Sequence, residues 1–117
     1  MILAVLDDLL FTSKIRATAG HVGASVTFAR SAEAALREMR EKSPALVIFD
    51  LNNPRTDPLG TVAAMKADPA LDAIPTIGFV SHVNTELISQ ARQAGVGDVM
   101  ARSLFAERLP DILSRGL

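Results

Sequence analysis

Short apolar runs of strand length alternate five times with segments of helical periodicity along this 117-residue chain. The apolar runs predict strands over residues 2–6, 25–29, 45–49, 76–80 and 98–101. The periodic segments predict helices over residues 10–19, 32–42, 59–67, 85–94 and 106–114. Ser31 and either Asn84 or Thr85 are expected to cap the second and fourth helices, and Gly20 and Gly95 to end the first and fourth. Because the connections are short, this alternation predicts a parallel sheet with helices on both faces and right-handed crossovers.

The composition of the strands predicts their order in the sheet. Strands one, three and four are almost wholly apolar, as strands buried on both faces are. Strands two and five carry Ser25, Thr27 and Asp98, which suit the edges of a sheet. The order 2-1-3-4-5 follows, with the topological switch point between strands one and three. We therefore predict one α/β domain over residues 1–117, a doubly wound sheet of flavodoxin-like topology.

Charge and cysteine content exclude several classes of function. With 12 basic and 13 acidic residues, the chain lacks the strong field that attracts nucleic acid or an anionic membrane. It has no cysteine, which excludes disulfides and thiol catalysis and fits a cytoplasmic protein. The apolar N-terminal run ends at Asp7 and is too short for a signal peptide or a membrane span. We interpret His82 as a solvated loop residue and Arg30 as one of the surface arginines that favour solubility.

Three aspartates follow the two strands that flank the switch point. Asp7 and Asp8 follow strand one and Asp50 follows strand three, so their carboxylates are expected to converge. Clustered carboxylates disfavour each other's ionisation, and a divalent cation relieves that cost. Hard oxygen ligands favour Mg²⁺, which we expect to bind weakly. The alternative interpretation is that each aspartate only caps a strand end or a helix start.

The chain resembles the receiver domains of two-component response regulators over its whole length. The matching segments are Val5-Leu6-Asp7-Asp8, Val47-Ile48-Phe49-Asp50-Leu51-Asn52-Asn53-Pro54, Ile74-Pro75 and Gln93-Ala94-Gly95-Val96. The resemblance implies that Asp50 is the phosphoacceptor. It also implies that Asp8, Asp50 and the backbone carbonyl of Asn52 bind Mg²⁺, and that Asp7 supports the ion through water.

The phosphate-sensing positions depart from the receiver pattern. Receivers carry a Thr or Ser at the end of strand four, where this chain has Val80, and a Lys at the end of strand five, where it has Arg102. Val99 replaces the aromatic residue often found in strand five. Ser81 and Arg102 are therefore the candidates for contacting a phosphoryl group, and Val80 and Val99 are altered switch positions.

Two functions follow from this pattern. The first is a single-domain receiver that accepts a phosphoryl group on Asp50 from a histidine kinase or phosphotransfer protein and signals through a partner. Its chemistry would be limited to self-phosphorylation and dephosphorylation. The second is a pseudo-receiver, an interaction module that works without phosphorylation. A flavin- or nucleotide-binding protein of this topology is disfavoured because Asp7 and Asp8 would repel phosphate. The sequence leaves a homodimer open.

The last helix contains a proline. Pro110 lacks an N–H group and crowds the carbonyl four residues before it, but it is tolerated in a first turn. We therefore predict that the regular part of this helix begins nearer Arg108 than Ala106.

Overall fold

The computed structural model describes residues 1–81 and 84–115. Five strands form one sheet: β1 (Ile2–Val5), β2 (Val26–Ala29), β3 (Leu46–Asp50), β4 (Thr76–Val80) and β5 (Asp98–Ala101). Five α-helices follow them in turn: α1 (Leu9–Val22), α2 (Ala32–Lys42), α3 (Pro58–Ala67), α4 (Thr85–Ala94) and α5 (Arg102–Ser114). A short 3-10 helix (Pro54–Thr56) lies between β3 and α3.

The sheet confirms the predicted topology. All pairs are parallel, and the strand order is β2-β1-β3-β4-β5. Each residue of β1, β3 and β4 is buried, whereas most of β2 is only half-buried and both ends of β5 are exposed. The central strands are therefore the apolar ones. The direction in which successive strands are added to the sheet reverses between β1 and β3, where Val5 pairs with Phe49.

Side chains on the two faces of the sheet form two apolar clusters. The first contains residues of α1 and α5, and at its centre the Phe79 ring lies 5.1 Å from Phe11 and 4.7 Å from Phe105. The second joins the other sheet face to helices α2, α3 and α4. Burying both faces is what a parallel sheet with helical crossovers requires. Because both faces are covered, the polar side chains of a functional site are expected in the loops at the strand ends.

The first helix ends later than predicted. The prediction stopped it at Gly20, but α1 continues to Val22 and ends at Gly23, which has φ +74° and donates its N–H to the Ala19 carbonyl. Gly20 lies inside the helix, where glycine is unfavourable but tolerated. Phe11, Ile15 and Ala19 are buried along one side of α1, and this packing outweighs the weak local preference of one glycine.

The last helix begins earlier than predicted and is not interrupted by its proline. Helix α5 starts at Arg102 and contains Pro110 in its interior, so the prediction of a regular start near Arg108 is wrong. Proline costs about 3 kcal/mol in a helix interior because it loses a hydrogen bond and crowds the preceding turn. Phe105, Leu109 and Ile112 are each at most 1% exposed, and their burial on both sides of Pro110 offsets that cost.

The predicted helix caps are mostly confirmed. The Ser31 hydroxyl accepts from the Ala34 N–H, the Asn84 side chain accepts from the Leu87 N–H, and Gly95 ends α4 with φ +110°. These positions could be predicted because a helix end needs one residue of a particular type at one place, a short polar side chain at the start or a glycine at the end. Among the described helices, none is both long and apolar enough to cross a membrane.

Candidate functional site

Asp50 is a buried carboxylate at the end of the central strand β3. The residue is 6% exposed, and its Oδ1 accepts the backbone N–H of Asn52 at 3.0 Å. Burial raises the pKa of Asp50 above its usual value of 3.8, and the negative charge of Asp8 adds to that increase. The Asn52 N–H and the positive charge of Arg102 lower the pKa in part. The buried position of Asp50 therefore disfavours the ionised form of its carboxyl group.

Asp7 is bound by two arginines from different loops. Arg30, after β2, donates to its Oδ1 from Nε at 3.1 Å and from Nη2 at 3.0 Å. Arg55, in the 3-10 helix, donates to its Oδ2 from Nη1 at 3.0 Å. The hydrogen bond from Arg30 is the largest cause of the lowered pKa of Asp7. Asp7 thus connects the end of β1 to the loops that follow β2 and β3.

Asp8 has two partners of different kinds. Its Oδ1 caps α1 by accepting the Phe11 backbone N–H at 3.1 Å, and its Oδ2 accepts from Arg102 Nη2 at 2.8 Å. The pKa of Asp8 is lowered, first by the Phe11 N–H and then by Arg102. The capping role that the sequence left as an alternative is therefore present, together with an ion pair that crosses from α1 to the start of α5.

The predicted convergence of three carboxylates needs correction. Within residues 1–81 and 84–115, no three acidic, histidine or cysteine side chains form a group that could hold a metal ion. Arg30 and Arg55 bind the two oxygens of Asp7, so that these oxygens already have positively charged partners. Asp8 and Asp50 still lie close enough for the charge of Asp8 to act on Asp50. Their hard oxygen atoms are the part of the pocket that suits Mg²⁺.

The three positions at the ends of β4 and β5 line one cavity. Val80, Ser81 and Arg102 border an open cavity of about 540 Å³ next to Phe11 and Lys14. Val80 is 1% exposed and Ser81 is exposed, as expected for neighbours on a strand. The altered position Val99 is 9% exposed and packs in the same apolar cluster as Val80. His82, interpreted from sequence as a solvated loop residue, lies outside the described residues.

The Asn52 side chain joins the loops after β3 and β4. Its Oδ1 accepts the Ser81 backbone N–H at 2.6 Å, while its own backbone N–H donates to Asp50. One residue therefore connects the buried carboxylate to the end of β4. The resemblance to receivers implies a role only for the backbone carbonyl of Asn52, and no sequence pattern indicates this role of its side-chain amide.

Sequence reasoning missed the arginine partners of the pocket. The sequence suggests only a solubility role for Arg30 and no role for Arg55, but both residues pair with Asp7. The predicted topology contained a signal for both. Arg30 directly follows β2 and Arg55 lies five residues after Asp50, so the parallel topology places both at the strand ends where Asp7 lies. No sequence pattern indicated that Arg102 would lie 4.3 Å from the centre of the Phe11 ring.

Comparisons with known proteins agree with this architecture. A family model described as "Response regulator receiver domain" matches residues 2–114. The transcriptional regulatory protein ZraR of Salmonella typhimurium is 31% identical over 117 aligned positions, and the alignment covers 99% of this chain and 26% of ZraR. The chain thus spans about a quarter of that relative's length.

Two solved structures show the same fold. A response regulator from Hahella chejuensis is 21% identical with a TM-score of 0.87, and the match covers 99% of this chain and 93% of that one. The chemotaxis response regulator CheY4 of Vibrio cholerae is 21% identical with a TM-score of 0.83, covering 99% and 97%. Together with the family match, they show that this chain belongs to the response regulator receiver domains of two-component signalling.

Proposed function

We propose that this receiver domain accepts a phosphoryl group on Asp50 from a histidine kinase or a phosphotransfer protein. The observation that carries the proposal is the contrast among the three carboxylates. Asp7 and Asp8 are each paired with arginine, whereas among the described residues the Asp50 carboxylate accepts from the Asn52 backbone N–H. A buried carboxylate that is not held in an ion pair keeps an oxygen for attack on phosphorus.

The proposed transfer moves a phosphoryl group from a phosphohistidine to the Asp50 carboxylate. Asn52 donates to Asp50 Oδ1, so Oδ2 is the oxygen that would attack the phosphorus of a phosphohistidine. A P–O bond to Asp50 forms, the P–N bond to the donor imidazole breaks, and the imidazole leaves with the electron pair and takes up a proton. Catalysis of such a transfer consists mainly of alignment and charge stabilisation. Burial at the end of β3 supplies the alignment.

The residues that would hold a divalent cation are Asp8, Asp50 and the backbone carbonyl of Asn52, with Asp7 acting through water. The raised pKa of Asp50 supports this assignment, because the pocket contains a carboxylate that a cation would stabilise. Bound Mg²⁺ would neutralise the charge that develops on the transferring group. The ion pairs of Asp7 and Asp8 with arginine compete with that role, so the binding is expected to be weak.

Coupling of the phosphoryl group to a shape change is proposed to be weaker than in receivers that carry a hydroxyl at the end of β4. Val80 has no donor, which leaves Arg102 and Ser81 as the groups that could contact the phosphoryl oxygens. A switch requires a contact that differs between its two states. The output is proposed to pass through a partner protein.

The test is phosphorylation by acetyl phosphate followed by intact-mass measurement. The wild type and an Asp57→Asn variant, which changes an aspartate of the same loop, are expected to gain the mass of one phosphoryl group. Asp50→Asn is expected to gain none. Equal incorporation in Asp50→Asn and the wild type would remove Asp50 from the role.

A pseudo-receiver is the second candidate, and the ion pairs favour it. Arg30, Arg55 and Arg102 supply positive charge to the acidic pocket from within the chain. A receiver of this kind would hold its binding surface in shape without a phosphoryl group. Failure of the wild type to incorporate phosphate from acetyl phosphate and from a set of phosphorylated histidine-phosphotransfer proteins would favour this function.

A further inference from the structure

We infer that Arg102 is an internal counter-cation that competes with Mg²⁺ for Asp8, so that metal binding releases Arg102 from the Asp8 carboxylate. The inference rests on the metal site proposed above. It assigns to Arg102 a role beyond contacting a phosphoryl group, namely setting the affinity of the pocket for a divalent cation.

The contacts of Arg102 carry the inference. Its Nη2 donates to Asp8 Oδ2 at 2.8 Å, and each of the two side chains is 33% exposed. The guanidinium also lies over the Phe11 ring, 4.3 Å from its centre. Phe11 is itself 6% exposed and packs against Phe79 and Phe105. Arg102 is therefore positioned by a buried aromatic cluster and bonded to one oxygen of the pocket.

The Asp8 carboxylate has little capacity for a second cation. Its Oδ1 accepts the N–H that caps α1, and its Oδ2 accepts from Arg102. Mg²⁺ at Oδ2 would stand within a few ångströms of the guanidinium, and two like charges that close repel each other strongly. Because the Oδ1 contact holds the start of α1, the exchangeable contact is the one at Oδ2. Metal and Arg102 are therefore alternatives at this oxygen.

The chemistry of arginine suits this exchange. A planar guanidinium can stack on a ring with its face and donate from its edge, whereas an ammonium group is a compact point charge. Stacking on Phe11 does not depend on Asp8, so Arg102 would keep a position beside the cavity after losing its ion pair. Arg102 is also the first residue of α5, and occupancy of the pocket would thereby be communicated to that helix.

The test is a Mg²⁺ titration followed by NMR, since the chain has no tryptophan or tyrosine for fluorescence. The backbone amide signals of Asp8 and Asp50 report metal binding, and the side-chain Nε–H signal of Arg102 reports its release. We expect Arg102→Ala to bind Mg²⁺ more tightly than the wild type by about fivefold or more, as removal of a competing charge predicts. Lys14→Ala removes a positive charge from the same cavity and serves as the control, with an expected change below about twofold.

The outcomes separate this inference from the proposed metal site. In the wild type, the Arg102 signal should shift with the same midpoint as the amides of Asp8 and Asp50. Equal affinity in Arg102→Ala and the wild type, or an equal gain in Lys14→Ala, would overturn the competition while leaving the metal site in place. A lack of Mg²⁺ binding in every folded variant would overturn the metal site and the inference together. Amide spectra recorded before the titration establish that each variant is folded.

Discussion

At the level of single residues, the burial of Asp50 has a cost that can be measured. Its pKa is raised, mainly by burial, so the ionised carboxylate is less favourable in the folded than in the unfolded chain. We expect Asp50→Asn to increase the free energy of unfolding at pH 7 by about 1 kcal/mol. Urea denaturation of both proteins at a series of pH values measures the difference.

The pH dependence of this effect has a definite direction. Above the raised pKa, the folded protein carries the unfavourable charge, and the advantage of Asp50→Asn is complete. Below the usual aspartate value of 3.8, both states are protonated and the advantage disappears. An advantage that grew as the pH fell would mean that the pKa of Asp50 is lowered instead of raised.

The other prediction at this scale concerns Val80, which is 1% exposed at the end of β4. Val80→Thr adds a hydroxyl with little change of shape. A buried hydroxyl without a partner costs about 1–3 kcal/mol, so the variant should melt at a lower temperature than the wild type. With Mg²⁺ and beryllofluoride, a hydrogen bond from the Thr hydroxyl to the charged mimic should stabilise the variant by about 1.5–3 kcal/mol.

Melting curves with and without the mimic measure both effects. Val99→Thr is the control, because Val99 packs in the same apolar cluster but lies on β5. If the mimic shifts the melting temperature of Val80→Thr and the wild type equally, Val80 does not face the phosphoryl position. In that case Ser81 becomes the stronger candidate.

At the level of elements, the two glycines near the end of α1 have opposite roles. Gly20 lies inside the helix, and an added Cβ would meet nothing within 4 Å. Gly23 has φ +74°, which side chains disfavour. We expect Gly20→Ala to stabilise the protein by about 0.5–1 kcal/mol and Gly23→Ala to destabilise it by at least about as much. Urea denaturation of the two variants provides a matched comparison, and equal effects would contradict the observed helix end.

Helix α5 carries a cost that packing outweighs. Pro110 is exposed and cannot donate to the Ala106 carbonyl. We expect Pro110→Ala to increase the free energy of unfolding by about 1–3 kcal/mol, since it restores a helical hydrogen bond and removes the ring. Asp111→Ala, at the next exposed position of α5, is the control and should change stability by less than about 0.5 kcal/mol. A destabilised Pro110→Ala variant would show that the ring itself contributes to packing.

At the level of the whole molecule, the burial of both faces of the sheet determines where the polar and charged side chains of the pocket can lie. The apolar clusters on either face leave the loops after β1, β3, β4 and β5 as one polar region around the switch point. Arg30, Arg55 and Arg102 reach Asp7 and Asp8 from the segments that follow β2, β3 and β5, at sequence separations from 23 to 94 residues. The charge balance of the pocket is thus a property of the folded chain as a whole.

The sequence by itself determined the architecture of this protein. The alternation of strand and helix patterns, and the wholly apolar central strands, predicted the order 2-1-3-4-5, because a strand buried on both faces cannot carry polar side chains cheaply. The same logic predicted that Asp50 ends β3, and the caps Ser31 and Asn84 followed from local hydrogen-bonding chemistry. These features depend on residues that are neighbours in the chain or share one periodicity.

Only the tertiary structure decided how charges pair and where marginal helices end. Asp7, Asp8 and Asp50 were expected to form one acidic group, but Asp7 is bound by two arginines, one of them 48 residues away. Helix α5 crosses Pro110 because the core on both sides of it contributes more than the proline costs. Long, flexible side chains pair across loops that are distant in the chain, and burial overrides weak local preferences. Neither the arginine pairing of Asp7 nor the course of α5 can therefore be predicted from a short stretch of sequence.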